Sequence, residues 1–165
     1  MIFVVLGTHE RPFYRLVKEI DKLALEGKIK ERIIAQLGFT NYKFKAKNIE
    51  AYEYIPSDKF EKIMKKARIV ITHGGSGTIM LAIRMKKPVI AVPRMAKFGE
   101  HADDHQLQIV KEMAKHGNVI AVYEIKNLMK AIKKAEKLKL KDIHIERPIF
   151  KIIEEKLKVW ESETL

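Results

Sequence analysis

Residues 73–78, with the sequence His-Gly-Gly-Ser-Gly-Thr, follow a short β-branched run and precede a helical pattern. Glycines in such a segment leave room for backbone N–H groups to converge on an anion, and the dipole of the following helix favours negative charge. A diphosphate would fit this loop, although a glycine-rich turn without a ligand is the other interpretation. The segment lacks the Gly-Lys-Ser/Thr ending of a P-loop and the G-x-G-x-x-G spacing of dinucleotide folds. Ser76 also lacks the G-x-S-x-G context of a hydrolase nucleophile.

A second polar segment, residues 93–106, gathers carboxylates, an amide, imidazoles and cations before another helical pattern. Asp104 and Gln106 carry the acceptor and donor groups that sugar hydroxyls need. An aspartate at this place also suits a helix N-cap, and the two roles are compatible. His101 and His105 are four residues apart, as two metal ligands or two surface residues would be. Because the sequence places no third ligand, we expect no metal site.

The turn after the first apolar run, Gly7-Thr8-His9-Glu10, is a third loop rich in hydrogen-bonding groups. A histidine in such a loop has an ordinary pKa of about 6.5, so it can serve as a general base or donate to a phosphate. A lone loop histidine more often does neither. His9 is therefore a candidate catalytic residue, and the sequence leaves its role open.

Short β-branched runs alternate with amphipathic stretches of about 10–15 residues along the chain. This alternation predicts βαβ units, right-handed crossovers and a mainly parallel sheet, and therefore an α/β fold. In an open parallel sheet, ligands bind beyond the carboxyl ends of the strands, where the three polar segments are expected. The predicted strands are residues 2–6, 32–37, 49–55, 68–72, 88–92 and 118–122. The predicted helices are residues 13–24, 57–67 with Ser57 as N-cap, 79–86, 104–116, 126–137 and one after Pro148; residues 40–47 are unassigned.

The chain of 165 residues carries 33 Lys and Arg against 21 Asp and Glu, a net charge of +12, and no cysteine. Its length fits one domain, residues 1–165, with basic helices from about residue 124. Without cysteine, disulfides, iron–sulfur clusters and thiolate zinc sites are excluded, and the apolar run before Gly7 is too short for a signal peptide or membrane span. We expect a soluble cytoplasmic protein. The charge indicates either a polyanionic partner or the ion-paired surface typical of thermophile proteins.

Three ordered motifs together resemble a known family: residues 73–78, residues 87–93 (Lys-Pro-Val-Ile-Ala-Val-Pro) and Asp104-His105-Gln106. They are similar to the donor-binding C-terminal domain of glycosyltransferase family 28, in the GT-B superfamily. Further matches narrow the resemblance to small stand-alone subunits of two-component enzymes. These matches are the opening residues 3–9 through Phe13, Arg94 and Gly99-Glu100-His101. The subunits are the catalytic partner in eukaryotic dolichol-linked N-acetylglucosaminyl transfer and capsular or exopolysaccharide glycosyltransferases. The likeness covers roughly residues 1–122.

The resemblance implies a single Rossmann-like domain, equivalent to the C-terminal half of a GT-B enzyme. It implies transfer of a hexose or N-acetylhexosamine from a UDP-sugar to a lipid-linked acceptor, with inversion and without a metal or other cofactor. It also implies a membrane-anchored partner subunit that binds the acceptor and holds the chain at the membrane periphery. The alternative is a non-catalytic subunit that binds a nucleotide sugar and regulates or scaffolds a partner. No nucleic acid is expected, since no RNA-binding fingerprint is present.

Carried onto this sequence, the family's donor site places the diphosphate and sugar at residues 73–78, the sugar hydroxyls at Asp104 and Gln106, and the cleft wall at residues 7–9. Many relatives have a glutamate for the ribose eight residues after the motif histidine, where this chain has Leu81. His9 is the candidate catalytic residue. The predicted substrate-binding residues are Gly7, Thr8, His73, Gly74, Gly75, Ser76, Gly77, Thr78, Arg94, Glu100, His101, Asp104, His105 and Gln106.

Overall fold

A computed structural model describes residues 1–115 and 117–140 of the chain. Six parallel strands form one sheet in this part of the chain, in the order β3-β2-β1-β4-β5-β6. The predicted α/β fold with a parallel sheet is therefore confirmed. The strands are β1 Ile2–Val5, β2 Ile33–Gln36, β3 Ile49–Tyr52, β4 Ile69–Thr72, β5 Val89–Ala91 and β6 Val119–Ala121.

Helices cover both faces of the sheet, because alternate residues of the buried strands point to opposite sides. In β1, Ile2 and Val4 pack on one face, and Phe3 and Val5 pack on the other. The first face is covered by α1 Tyr14–Leu25 and α5 Leu128–Glu136. The second is covered by α2 Ser57–Lys66, α3 Ser76–Arg84 and α4 His105–Ala114.

The observed elements are mostly shorter than predicted, and the α-helices begin one to three residues away from their predicted first residues. Ser57 is the first residue of α2 and makes no side-chain capping bond, so the prediction that it is the N-cap is wrong. Helix α3 begins at Ser76, three residues earlier than predicted. Residues 40–47 form neither helix nor strand. The helix predicted after Pro148 lies outside the described residues.

The strand order reverses direction at β1, whose neighbours are β2 and β4. The helix after β1 lies on one face and the helix after β4 lies on the other, so the chain leaves the two strand ends in opposite directions. This divergence opens a crevice at the carboxyl edge between β1 and β4, the usual ligand position in such sheets.

Within the described ranges, no helix combines the length and apolar character that crossing a bilayer requires.

Candidate functional site

Three loops meet at the carboxyl edge of the sheet: residues 6–13 after β1, residues 73–75 after β4, and residues 92–104 after β5. The first and third loops are joined by Arg11, whose Nη1 donates to the carbonyl of His101 at 2.8 Å. The second loop is tied to β1 because the backbone N–H of His73 donates to Val5 O at 3.2 Å. The sheet therefore brings the three predicted polar segments together.

The imidazole of His73 is wedged between the first and second loops. Its Nδ1 lies 3.2 Å from Val5 O, a contact in which Nδ1–H donates and Nε2 keeps its lone pair. Burial lowers the pKa of His73 to about 4, although the bond to Val5 acts in the opposite direction. His73 is therefore neutral at physiological pH, and its Nε2 is a hydrogen-bond acceptor suited to a hydroxyl group rather than a cation for a phosphate.

The glycines around His73 mostly serve the packing of the protein itself. A Cβ atom on Gly7 would lie 2.6 Å from the His73 ring, and one on Gly75 would also collide with that ring. A Cβ on Gly74 would lie 2.7 Å from the side chain of Val110 in α4. A Cβ on Gly77 meets no atom within 4 Å. Of the glycines predicted to clear space for a ligand, only Gly77 therefore opens onto free space. Gly7 and Gly75 make room for the His73 ring, and Gly74 makes room for Val110 of α4.

The amino end of α3 faces the crevice. Gly75 precedes the helix in an extended conformation, and the helix has no side-chain cap. Ser76, Gly77 and Thr78 form its first turn instead of the loop that the sequence suggested. The backbone N–H groups of a first turn have no intrahelical acceptor, so this end can donate to an anion.

His9 is held in an arrangement that does not suit a general base. The backbone N–H of Arg11 donates to its Nδ1 at 3.1 Å, which leaves the proton of the neutral ring on Nε2. The ring lies 4.6 Å from the ring of His101, centroid to centroid. Burial first, and then the charges of His101 and Arg94, lower the pKa of His9. His9 can therefore donate through Nε2, but its accepting nitrogen is already occupied.

The polar side chains at the start of α4 hold one another and the preceding loop. Asp104 precedes the helix without capping it, since its carboxylate accepts from the backbone N–H of Ala96 at 3.0 Å. The carboxylate of Asp103 accepts from the backbone N–H of His105 at 2.9 Å and lies within 3.1 Å of Nδ1 of both His101 and His105. Burial alone would raise the pKa of Asp103, but this bond and the two imidazoles lower it. In the part of the chain that is described, no three His, Asp or Glu side chains are arranged to hold a metal.

Gln106 is partly engaged: its Oε1 accepts from the backbone N–H of Arg94 at 3.3 Å. Thr8 is exposed at the tip of the first loop. Gln106 and Thr8 remain predicted ligand contacts.

Arg94 and Glu100 occupy a different place from the one expected of substrate-binding residues. Arg94 is fully buried, and Glu100 is 4% exposed. The carboxylate of Glu100 binds Nε and Nη2 of Arg15, both at 2.8 Å, and accepts from the backbone N–H of Met95. Since both side chains are committed to groups of the protein, we assign them to holding the loops instead of to direct substrate contact.

Four residues that support the first loop were not predicted from the sequence. Arg11 and Arg15 bind the third loop, and the hydroxyl of Thr40 accepts from the backbone N–H of Phe13 at 3.0 Å. Gly38 packs so closely on the carbonyl of Gly7 that no Cβ fits there. The one available signal was the spacing of Arg11 and Arg15, which are four residues apart, in the loop before α1 and in its first turn.

A groove of about 490 Å³ lies beside this site, at the carboxyl ends of β2 and β3. It is lined by residues 37–42 and 51–53, and none of the predicted site residues is among them. Residue 38 belongs both to this lining and to the contact with the first loop, so the groove adjoins the crevice.

Comparison with known proteins places this geometry in a family. The sequence model that defines the glycosyltransferase family 28 C-terminal domain matches residues 1–151. The UDP-N-acetylglucosamine transferase subunit ALG13 of Candida albicans is 29% identical over 85 residues, which are 52% of this chain and 27% of that protein.

Solved structures share the fold. The glycotransferase of kitacinnamycin superposes with a TM-score of 0.64 at 15% identity, over 82% of this chain and 34% of that one. The solution structure of ALG13 superposes with a TM-score of 0.60 at 20% identity, over 92% of this chain and 93% of that one. The first likeness is to about a third of a larger enzyme, and the second is to nearly all of a small protein. With a family match over residues 1–151, the chain belongs to the glycosyltransferase family 28 C-terminal domain family.

Proposed function

We propose that the chain is the donor-binding, catalytic subunit of a two-component glycosyltransferase. It takes a hexose or N-acetylhexosamine from a UDP-sugar and passes it to a lipid-linked acceptor held by a membrane-anchored partner. The observation that carries the proposal is the uncapped amino end of α3, which meets the crevice between β1 and β4 with open space at Gly77. Membership in the family and the likeness to ALG13 support it.

The leaving UDP gains negative charge as the sugar–phosphate bond breaks. Fixed N–H dipoles at the first turn of α3 stabilise that charge without a metal, and one well-placed donor of this kind contributes about 3–4 kcal/mol. The neutral His73 accepts a sugar hydroxyl through Nε2, and His9 donates to the phosphate through its Nε2–H. Asp104 and Gln106 bind further sugar hydroxyls.

The base that deprotonates the acceptor comes from the partner in this scheme. His9 has its accepting nitrogen occupied by Arg11, and His73 with a pKa of about 4 is a weak base. The same observation favours one alternative, a non-catalytic subunit that binds the nucleotide sugar and regulates or scaffolds a partner. Donor binding without sugar transfer, even with the partner present, would support the alternative and overturn the catalytic role.

Thermal unfolding with added ligands tests donor binding, because a ligand of the folded state raises the melting temperature by mass action. UDP and UDP-sugars at about 100 times their dissociation constant should stabilise the fold by about 2.7 kcal/mol. GDP-sugars and RNA should not. An equal response to GDP-sugars would contradict the uridine part of the proposal.

Gly77→Val separates the site from the fold. No protein atom lies within 4 Å of a Cβ at this exposed position, so the variant should fold. The valine side chain fills the position where the diphosphate is proposed to bind. We expect the UDP response to disappear. Asp58→Val is the matched control, since Asp58 is the exposed second residue of α2 as Gly77 is the exposed second residue of α3. An undiminished UDP response in Gly77→Val would remove α3 from the site.

A further inference from the structure

Arg94 joins the loops of the site through their main chain. Its Nη2 donates to Leu6 O at 3.0 Å, and its Nη1 donates to Arg11 O at 2.6 Å and to Glu100 O at 3.3 Å. Leu6 and Arg11 are the two ends of the turn that carries Gly7, Thr8 and His9. One buried side chain from the third loop therefore fixes both ends of the first loop.

The charge of Arg94 is not matched by a carboxylate of its own. The only carboxylate in this cluster, that of Glu100, is bound by two nitrogens of Arg15, while Arg94 binds carbonyl oxygens and its Nε has no partner in the described structure. Two guanidinium groups and one carboxylate leave one positive charge beneath the surface. Burial lowers the pKa of Arg94 to about 10, with Glu100 acting in the opposite direction, so the group stays charged at neutral pH.

A buried charge without a counter-charge is costly, and an anion bound nearby reduces that cost. The ring of Phe13, 4.8 Å from the guanidinium carbon of Arg94, gives partial compensation through its π face. The charge acts on the site loops, since Arg94 contributes to the lowered pKa of both His9 and His73. The anionic group that would complete the balance belongs in the crevice these two histidines flank.

We propose that Arg94 is a positioning residue for the donor diphosphate: it sets the turn that carries His9 and supplies, from beneath the site, the positive charge that the bound anion completes. This inference rests on the proposed function. It differs from a plain structural brace in one respect. A brace holds the site for any ligand, whereas an uncompensated charge favours ligands in proportion to their negative charge.

The test compares UDP with uridine. Dissociation constants for both are measured by NMR titration on the wild type, Arg94→Met and Arg94→Lys. We expect Arg94→Met to weaken UDP at least about tenfold more than uridine, as loss of a partly desolvated charge would. Arg94→Lys keeps the positive charge, so it should retain most of the preference for UDP over uridine. It cannot span the three carbonyls, so any effect of the lost hydrogen bonds alone is measured in this variant. Arg32→Met is the control, because Arg32 is an exposed arginine before β2, at the opposite edge of the sheet.

Glu100→Gln changes the charge balance in the opposite direction and keeps the three carbonyl acceptors of Arg94, so it tests the same charge in a second variant. Removing the carboxylate leaves two uncompensated arginines, so the preference for UDP over uridine should increase severalfold. An unchanged preference in Arg94→Met or in Glu100→Gln would reduce Arg94 to a structural brace and overturn the inference, while leaving the proposed function intact.

Inorganic diphosphate separates this inference from the proposed function. If the wild type binds inorganic diphosphate but not UDP, the proposed function fails, and the same variants test Arg94 through their affinity for diphosphate. If it binds neither, both proposals fall.

Discussion

Two halves of the same site are held together by different physical means. Around His73, the loops after β1 and β4 touch through glycines and a neutral imidazole, with little room for an added methyl group. Around Glu100, the loop after β5 is held by a buried network of one carboxylate and two guanidinium groups. The first half should therefore be sensitive to added volume and to acid, and the second to the loss of a single charge.

Glu100→Gln should have the largest effect on stability. It leaves Arg15 and Arg94 buried with no carboxylate, and removing one partner of such a network costs about 3–5 kcal/mol. Urea unfolding at neutral pH measures this loss. Glu112→Gln is the control, because Glu112 in its ion pair with Lys115 is 61% exposed and such pairs contribute about 1 kcal/mol at most. Equal losses in the two variants would show that the buried network does not hold the second half.

Gly7→Ala tests the glycine-packed half by adding one methyl group. Gly7 has a φ of 72°, and its new Cβ would press on the His73 ring, so we expect a loss of about 3 kcal/mol from backbone strain and overpacking together. Gly27 has a φ of 66° and open space around its Cβ, so Gly27→Ala carries the strain alone, about 1 kcal/mol. The difference between the two free energies of unfolding isolates the packing. Equal losses would show that the contact between a Cβ on residue 7 and the His73 ring does not change the free energy of unfolding.

Acid should weaken the same half through His73. Its pKa is about 4 in the folded chain and about 6.5 when unfolded, so folding favours the neutral ring. The resulting stabilisation is complete above pH 6.5 and is lost as the pH falls towards 4. Between pH 7.5 and 5 the loss is about 2 kcal/mol. The free energy of unfolding of the wild type should therefore fall by about that much more than that of His73→Gln; parallel pH profiles would contradict the burial of a neutral imidazole.

The fold and the loops of the site follow from local patterns in the sequence. The β-branched runs and amphipathic stretches predicted all six strands and the five α-helices of the described residues, because the hydrophobic period of each element is visible within its own sequence. The order of strands then places residues 7–9, 73–78 and 93–106 at one edge. Such patterns identify which segments meet.

The hydrogen bonds and ion pairs that join the loops of the site did not follow from the sequence. Arg94 reaches Leu6 and Arg11 across more than 80 positions, and the ion pair of Arg15 with Glu100 is equally distant in sequence. A charged residue in a polar loop has the same local pattern whether it faces a ligand or the protein. This is why Arg94 and Glu100 were predicted as substrate contacts. The reason for the glycines was hidden likewise, since the sequence does not show that His73 lies between Gly7 and Gly75.

Gly77 is the exception within the glycine-packed half, and it supports the smallest and sharpest test. It is exposed in the first turn of α3, it has no positive φ, and nothing lies within 4 Å of the position that a Cβ methyl group would take. Gly77→Ala should therefore stabilise the chain by about 0.5–1 kcal/mol, because alanine loses less backbone entropy on entering a helix. Urea unfolding of the ligand-free protein measures this gain.

The same methyl group would stand where the diphosphate is proposed to approach the first-turn N–H groups. We therefore expect Gly77→Ala to weaken UDP binding although it makes the protein more stable, whereas Gly7→Ala should reduce both together. Opposite signs for stability and affinity at one position distinguish a glycine that makes room for a ligand from one that makes room for the protein. If Gly77→Ala raises stability and leaves UDP affinity unchanged, the anion lies away from α3, and the glycines of this loop serve packing alone.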